Sequence, residues 1–137
     1  MRLITNWIKF DTGEKKFYND KYGNPAPYFR KTFKLSGNPI KATLACSAVG
    51  LLKVYLNGKE ISEDCLTPGW TDYRKRIPYL EVDVIQLLNQ KNAIGIVVGD
   101  GWAVGKVGND MERCNYHEEV SVGLQLEIVY GDGTYLH

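Results

Sequence analysis

The chain has 137 residues, enough for one domain with a real core. Hydrophobic residues make up 44% and charged residues 24%, which excludes the low-hydrophobicity composition of a disordered chain. Lys and Arg number 17 against 16 Asp and Glu, a formal net charge of +1, so composition offers no basic excess for nucleic acid or an anionic membrane.

Residues 1–10 lack the apolar centre and small-residue cleavage site of a signal peptide. No apolar run approaches the roughly 20 residues that a membrane helix needs. Cys46, Cys65 and Cys114 are odd in number and show no CxxC or Cys/His spacing. That argues against a disulfide framework and against structural zinc. A reducing cytoplasm is the expected location.

A strand is expected at residues 7–10. Residues 12–27 hold Gly13, Gly23, Pro25 and Pro27 and read as a loop. Residues 28–35 read as a strand, with Phe29, Phe33 and Leu35 on one face. After a turn at 36–39, residues 40–49 place Ala42, Leu44, Cys46 and Ala48 on one side, as in a buried strand. Asn57-Gly58 lies between two β-like runs and calls for a type I′ hairpin, because both central residues need positive φ. The register then pairs Val54 with Ile61 and Tyr55 with Glu60. Residues 76–84 form a further strand, broken or begun at Pro78. Asp83 is placed to cap a short helix over 84–88. Residues 91–98 are strongly β-like. Residues 99–108 contain four glycines and read as a loop. Residues 120–130 alternate, with Val120, Val122, Leu124, Leu126, Ile128 and Tyr130 on one face. Residues 131–134 form a hairpin turn whose second arm is begun and not finished, so the chain is expected to be cut short at its C-terminus. Short apolar runs parted by Gly, Pro and Asn favour an all-β sandwich over βαβ units.

The chemistry-bearing residues are few. No Gly-x-Ser-x-Gly elbow occurs. Cys46 reads as a buried, inert thiol. Cys114 and His117 share one loop, but no third residue is at hand to orient a dyad. Glu118 and Glu119 are adjacent and would point to opposite faces of a strand. Gly99-x-Gly101-x-x-x-Gly105 misses the dinucleotide spacing, and there is no Walker pattern. Asp100, Asn109 and Asp110 supply hard oxygen ligands in one glycine-rich region, of the kind Ca²⁺ prefers, though Asn and Asp also favour turns. Trp70, Asp72, Tyr73, Asp100 and Trp102 combine aromatic area with hydrogen-bonding groups in turn-rich stretches and are the candidate carbohydrate contacts. The alternative is that Trp70 and Trp102 plug the end of the sandwich.

The order of these motifs resembles the N-terminal β-sandwich domain of bacterial α-L-rhamnosidases. The resemblance runs through Tyr28-Phe29-Arg30-Lys31-Thr32-Phe33, Ala48-x-Gly50, Tyr55-x-Asn57-Gly58 and Leu66-x-Pro68-Gly69-Trp70-Thr71-Asp72-Tyr73-x-Lys75-Arg76. It continues through Tyr79, Asp83-Val84, Leu88, Asn92-Ala93 and Gly99-Asp100-Gly101-Trp102 to Asp132-Gly133-Thr134. The looser Asn-Gly, Asp-Val, Leu and Asn-Ala pattern also occurs in jelly-roll domains of β-galactosidase-like enzymes. The resemblance implies an all-β, galactose-binding-domain-like jelly roll with one short helix. It implies a single non-catalytic accessory domain over residues 1–137, whose partner is the enzyme's own (α/α)6 catalytic barrel elsewhere in a longer chain. Relatives bind L-rhamnose through Ca²⁺, which makes L-rhamnose-containing glycans the expected ligand and calcium the one cofactor in view. Ala103-Val104-Gly105 departs from relatives that carry a further aromatic after Trp102. A free-standing carbohydrate-binding lectin-like module, the sandwich domain of a β-galactosidase-like enzyme and a purely structural interdomain module are the rival readings.

Overall fold

In the computed structural model, residues 6–11, 25–109 and 112–136 are described. The expected loop at 12–27 therefore lies largely outside them, as does Asp110. Nine strands appear among the described residues: β1 (Trp7–Ile8), β2 (Tyr28–Lys34), β3 (Pro39–Val49), β4 (Leu51–Leu56), β5 (Lys59–Glu60), β6 (Leu80–Asp83), β7 (Lys91–Gly99), β8 (Ser121–Tyr130) and β9 (Tyr135–Leu136). All pairings are antiparallel and make two sheets. One runs β1-β8-β3-β6, with β9 also on β8; the other runs β2-β7-β4-β5. The molecule is a β-sandwich.

Alternation along the strands decides which side chains meet. Ala42, Leu44, Cys46 and Ala48 of β3 and Val122, Ile128 and Tyr130 of β8 face inward from the first sheet. Leu52, Val54 and Leu56 of β4 and Ile94, Ile96 and Val98 of β7 answer them from the second. Phe29, Phe33 and Leu35 close the core along the β2 edge, on the face their spacing predicts. Each fully buried Leu, Ile or Val here contributes about 1.5–3 kcal/mol of apolar transfer free energy.

The Asn57-Gly58 hairpin forms with the expected register. Tyr55 lies opposite Glu60, and the Ile61 N–H donates to the Val54 carbonyl at 3.1 Å. Asn57 and Gly58 take φ values of 55° and 81°, as a type I′ turn requires. The Asn57 side chain reaches further: its Nδ2 donates to the Leu87 carbonyl at 2.7 Å and to Asn92 Oδ1 at 2.9 Å, and its Oδ1 accepts the Ala93 N–H. The turn is thereby fastened to the start of β7.

Three expectations need correction. The strand at 76–84 is confined to Leu80–Asp83; Pro78 has no N–H for a ladder, and its carbonyl instead accepts the Ser47 hydroxyl at 2.6 Å. The helix at 84–88 is a single 3-10 turn, Ile85–Leu87, with the Asp83 carboxylate accepting the Ile85 N–H. The glycine-rich stretch 99–108 is not all loop: Gly101–Val104 forms a one-turn helix, α1. Gly101, at φ 53°, makes the sharp entry from β7, and Ala103 and Val104 are buried beneath the turn.

Candidate functional site

β3 ends and β8 begins at one pole of the sandwich, where β7 also ends and β4 starts. Gly50 joins β3 to β4 with φ 133°, and a Cβ there would collide with the Gly99 carbonyl. Three segments gather over this pole: residues 62–79, α1, and residues 112–120. They build a second, smaller core from Val49, Tyr73, Ala103 and Val104, with Ile77, Trp102, Cys114, Tyr116 and Val120 packed around it. Backbone bonds fix the last segment to α1: the Cys114 N–H donates to the Val104 carbonyl at 3.0 Å and the His117 N–H to the Ala103 carbonyl at 3.1 Å. The segment 62–79 is tied in by the Leu52 N–H, which donates to the Thr67 carbonyl at 2.8 Å.

Trp70 and Trp102 come from different segments and meet at this pole. Their rings stack with centroids 6.1 Å apart and planes 18° from parallel. Trp102 is half-buried against the small core, whereas Trp70 is 59% exposed. Trp70 is therefore not the plug that one reading expected; it is an outer layer laid on an anchored indole. The pair offers a rigid apolar surface, since neither ring can turn without losing the stack.

The other candidates take different roles. Tyr73 is only 3% exposed, its ring edge-on to Tyr116 at 5.3 Å, and its hydroxyl donates to the Gly69 carbonyl at 2.8 Å. Burial pushes its phenol above the ordinary value. It is a packing residue that fixes the Trp70 turn, with no ring face to offer a ligand. Asp72 accepts from Arg74 Nε at 3.0 Å and from the Arg74 N–H at 3.2 Å, and Lys75 Nζ lies 3.7 Å away. The hydrogen bond from Arg74 holds its carboxyl below the usual range. Arg74 also lies 5.4 Å over the Tyr116 ring. Asp100 accepts from Arg113 at 2.7 Å, an ion pair in which each side chain is about 16% exposed. Arg113 escaped the sequence reading because it meets Asp100, 13 residues away, only through folding; Arg74 pairs locally with Asp72, and what no spacing signals is its place over the Tyr116 ring.

No group of three or more His, Cys, Asp and Glu side chains is placed to hold a metal ion among the described residues. Asp100 is taken up by Arg113, Asn109 lies on an exposed turn, and Asp110 is outside the described residues.

Residues 37–136 match the sequence profile of the alpha-L-rhamnosidase N-terminal domain. The chain belongs to this family. An α-L-rhamnosidase of Alteromonas sp. (strain LOR) is 39% identical over 109 residues, 78% of this chain and 12% of that protein. The crystal structure of α-L-rhamnosidase from Aspergillus terreus superposes with a TM-score of 0.87 at 30% identity, covering 95% of this chain and 15% of that one. That of Streptomyces avermitilis α-L-rhamnosidase complexed with L-rhamnose gives 0.78 at 38% identity, over 82% of this chain and 11% of that one. The α-L-rhamnosidase N-terminal domain is thus one small part of each of these much longer glycosidases.

Proposed function

We propose that this chain is a non-catalytic accessory domain of an α-L-rhamnosidase, which packs on the catalytic domain and supplements substrate binding through the Trp70–Trp102 pole. The observation that carries the reading is the exposed Trp70 ring, held flat on an anchored indole. Glycoside hydrolysis needs two carboxyl groups across the scissile bond, one with a raised pKa to serve as acid. The two candidate carboxylates, Asp72 and Asp100, are each in an ion pair, and that of Asp72 is held ionised rather than raised. Such groups orient hydroxyls; they do not protonate a leaving oxygen. Bond cleavage is assigned to a separate (α/α)6 barrel of the longer enzyme.

Replacing Trp70 by Ala in the full-length enzyme tests the reading. The expected result is a higher KM for rhamnosides with unchanged kcat, and stability within about 0.5 kcal/mol of wild type, as for most exposed substitutions. A second reading, a purely structural interdomain module, draws on the half-buried packing of Trp102. It predicts lost stability with unchanged KM for Trp102→Ala and no change in KM for Trp70→Ala.

A further inference from the structure

A net charge of +1 hides a segregation of charge between the two outer faces. Cross-strand pairs point to the same side of a sheet, so the register assigns each face. On the outer face of the five-stranded sheet, Glu81, Asp83 and Glu127 flank Thr43 and Ala45, with Lys41 the one cation beside them among the strand residues described. On the four-stranded sheet, β2 turns Tyr28, Arg30, Thr32 and Lys34 outward, with Lys91 of β7 beside Lys34. Among the described residues, Arg30, Lys34 and Lys91 form no ion pair, and the one acid on the strands of this face, Glu60, is bonded to Lys53.

The relief of this face is equally specific. Beyond Lys91 at its start, the central strand, β7, presents only Ala93, Gly95, Val97 and Gly99 outward. A Cβ built on Gly95 or Gly99 meets nothing within 4 Å, so the floor is open. One cross-strand row reads Arg30, Gly95, Tyr55, which sets a guanidinium and a phenol ring on either side of a glycine. With strands about 4.8 Å apart, these walls stand roughly 10 Å from each other. Tyr28, 77% exposed, extends the wall on the β2 side. The face is a shallow trough, lined with small residues and bordered by aromatic rings and unneutralised cations.

We propose that this trough binds an extended anionic saccharide, bearing carboxylate or sulfate groups, laid along β7. The choice of a saccharide rests on the accessory-domain reading above. The charge and the relief of the face do not, and it lies on residues other than the Trp70 pole. Ring faces take the apolar side of a sugar, the small residues admit the chain, and Arg30, Lys34 and Lys91 pair with its anions.

Calorimetric titration of the 137-residue chain tests this, using an oligogalacturonide, a sulfated dextran oligosaccharide and a neutral dextran oligosaccharide of equal length. One or both acidic oligomers should bind, and which of them does separates carboxylate from sulfate recognition. The neutral one should not bind, and added salt should weaken binding. Arg30→Gln and Lys91→Gln should each weaken it at least about threefold. Gly95→Val is the sharper variant: it fills the trough, keeps the charge and favours the strand. It should leave thermal unfolding unchanged or raised and reduce acidic-oligomer binding at least about tenfold. Unchanged binding by Gly95→Val overturns the proposal. So does equal binding of polyglutamate or single-stranded DNA, or loss of binding on Trp70→Ala alone, which would return the ligand to the pole. Failure of all three oligosaccharides to bind overturns it while leaving the KM effect of Trp70→Ala in the full-length enzyme intact.

Discussion

Asn57 does two jobs with one side chain. Its backbone takes the left-handed conformation of the turn, and its amide joins β4, β7 and the 3-10 turn through Leu87, Asn92 and Ala93. Asn57→Gly keeps the first and removes the second, leaving the 4%-exposed Asn92 short of a donor. Urea unfolding should show a loss of about 1–3 kcal/mol. Asn57→Asp should lose more, since a carboxylate would face the Leu87 carbonyl and Asn92 Oδ1. The turn was legible because Asn-Gly carries its own backbone geometry; the network was not, because its partners lie 30 to 36 residues away. Cys46 shows a different residue-scale effect. Burial pushes its thiol from an ordinary 9.0 up to about 12. Between those values the folded chain keeps a proton that the unfolded chain has lost, so stability falls as pH rises through the window. Cys46→Val should flatten that decline in urea titrations above pH 9. At neutral pH a thiol reagent should label exposed Cys65 first and Cys46 only as fast as the chain unfolds.

At the level of elements, β3 organises the first sheet, since it pairs with β8 along almost its whole length and with β6 on its other edge. Leu44, fully buried at its centre, contacts the core from the strand with the most neighbours to lose. Leu44→Ala should destabilise by about 2–5 kcal/mol in denaturant titration, at the upper end if the sheets cannot close over the cavity. β3 and β7 were readable because a buried strand needs an apolar run, and nothing else in the local sequence competes with it. α1 was not readable. Four residues cannot sustain a helix by propensity, and this one exists because Ala103 and Val104 are buried under it. Its glycines look like loop punctuation but serve as entry and exit: a Cβ at Gly101 would strike the Leu51 side chain, and one at Gly105 the Gly101 carbonyl. Gly101→Ala should therefore loosen the whole pole, seen as faster amide exchange at Cys114 and His117, whose N–H groups bond to α1.

For the molecule as a whole, the sequence revealed which faces are apolar but not how charge divides between the outer ones. Net charge sums over both sheets, and the division appears only when register places Glu81, Asp83 and Glu127 on one face and Arg30, Lys34 and Lys91 on the other. The candidate site shows the same limit. Its tryptophans stood out as aromatics beside turns, yet whether they met, and which of them faced solvent, depended on three segments converging at one pole. That convergence has an optical consequence. Two indoles held 18° from parallel at 6.1 Å couple their electronic transitions, so the folded chain should give a near-ultraviolet circular dichroism couplet that vanishes in Trp70→Phe or Trp102→Phe. Because Trp70 forms the outer layer, anything that covers the pole should also shift its emission to the blue. The chain carries its own label for the moment a ligand or a neighbouring domain arrives.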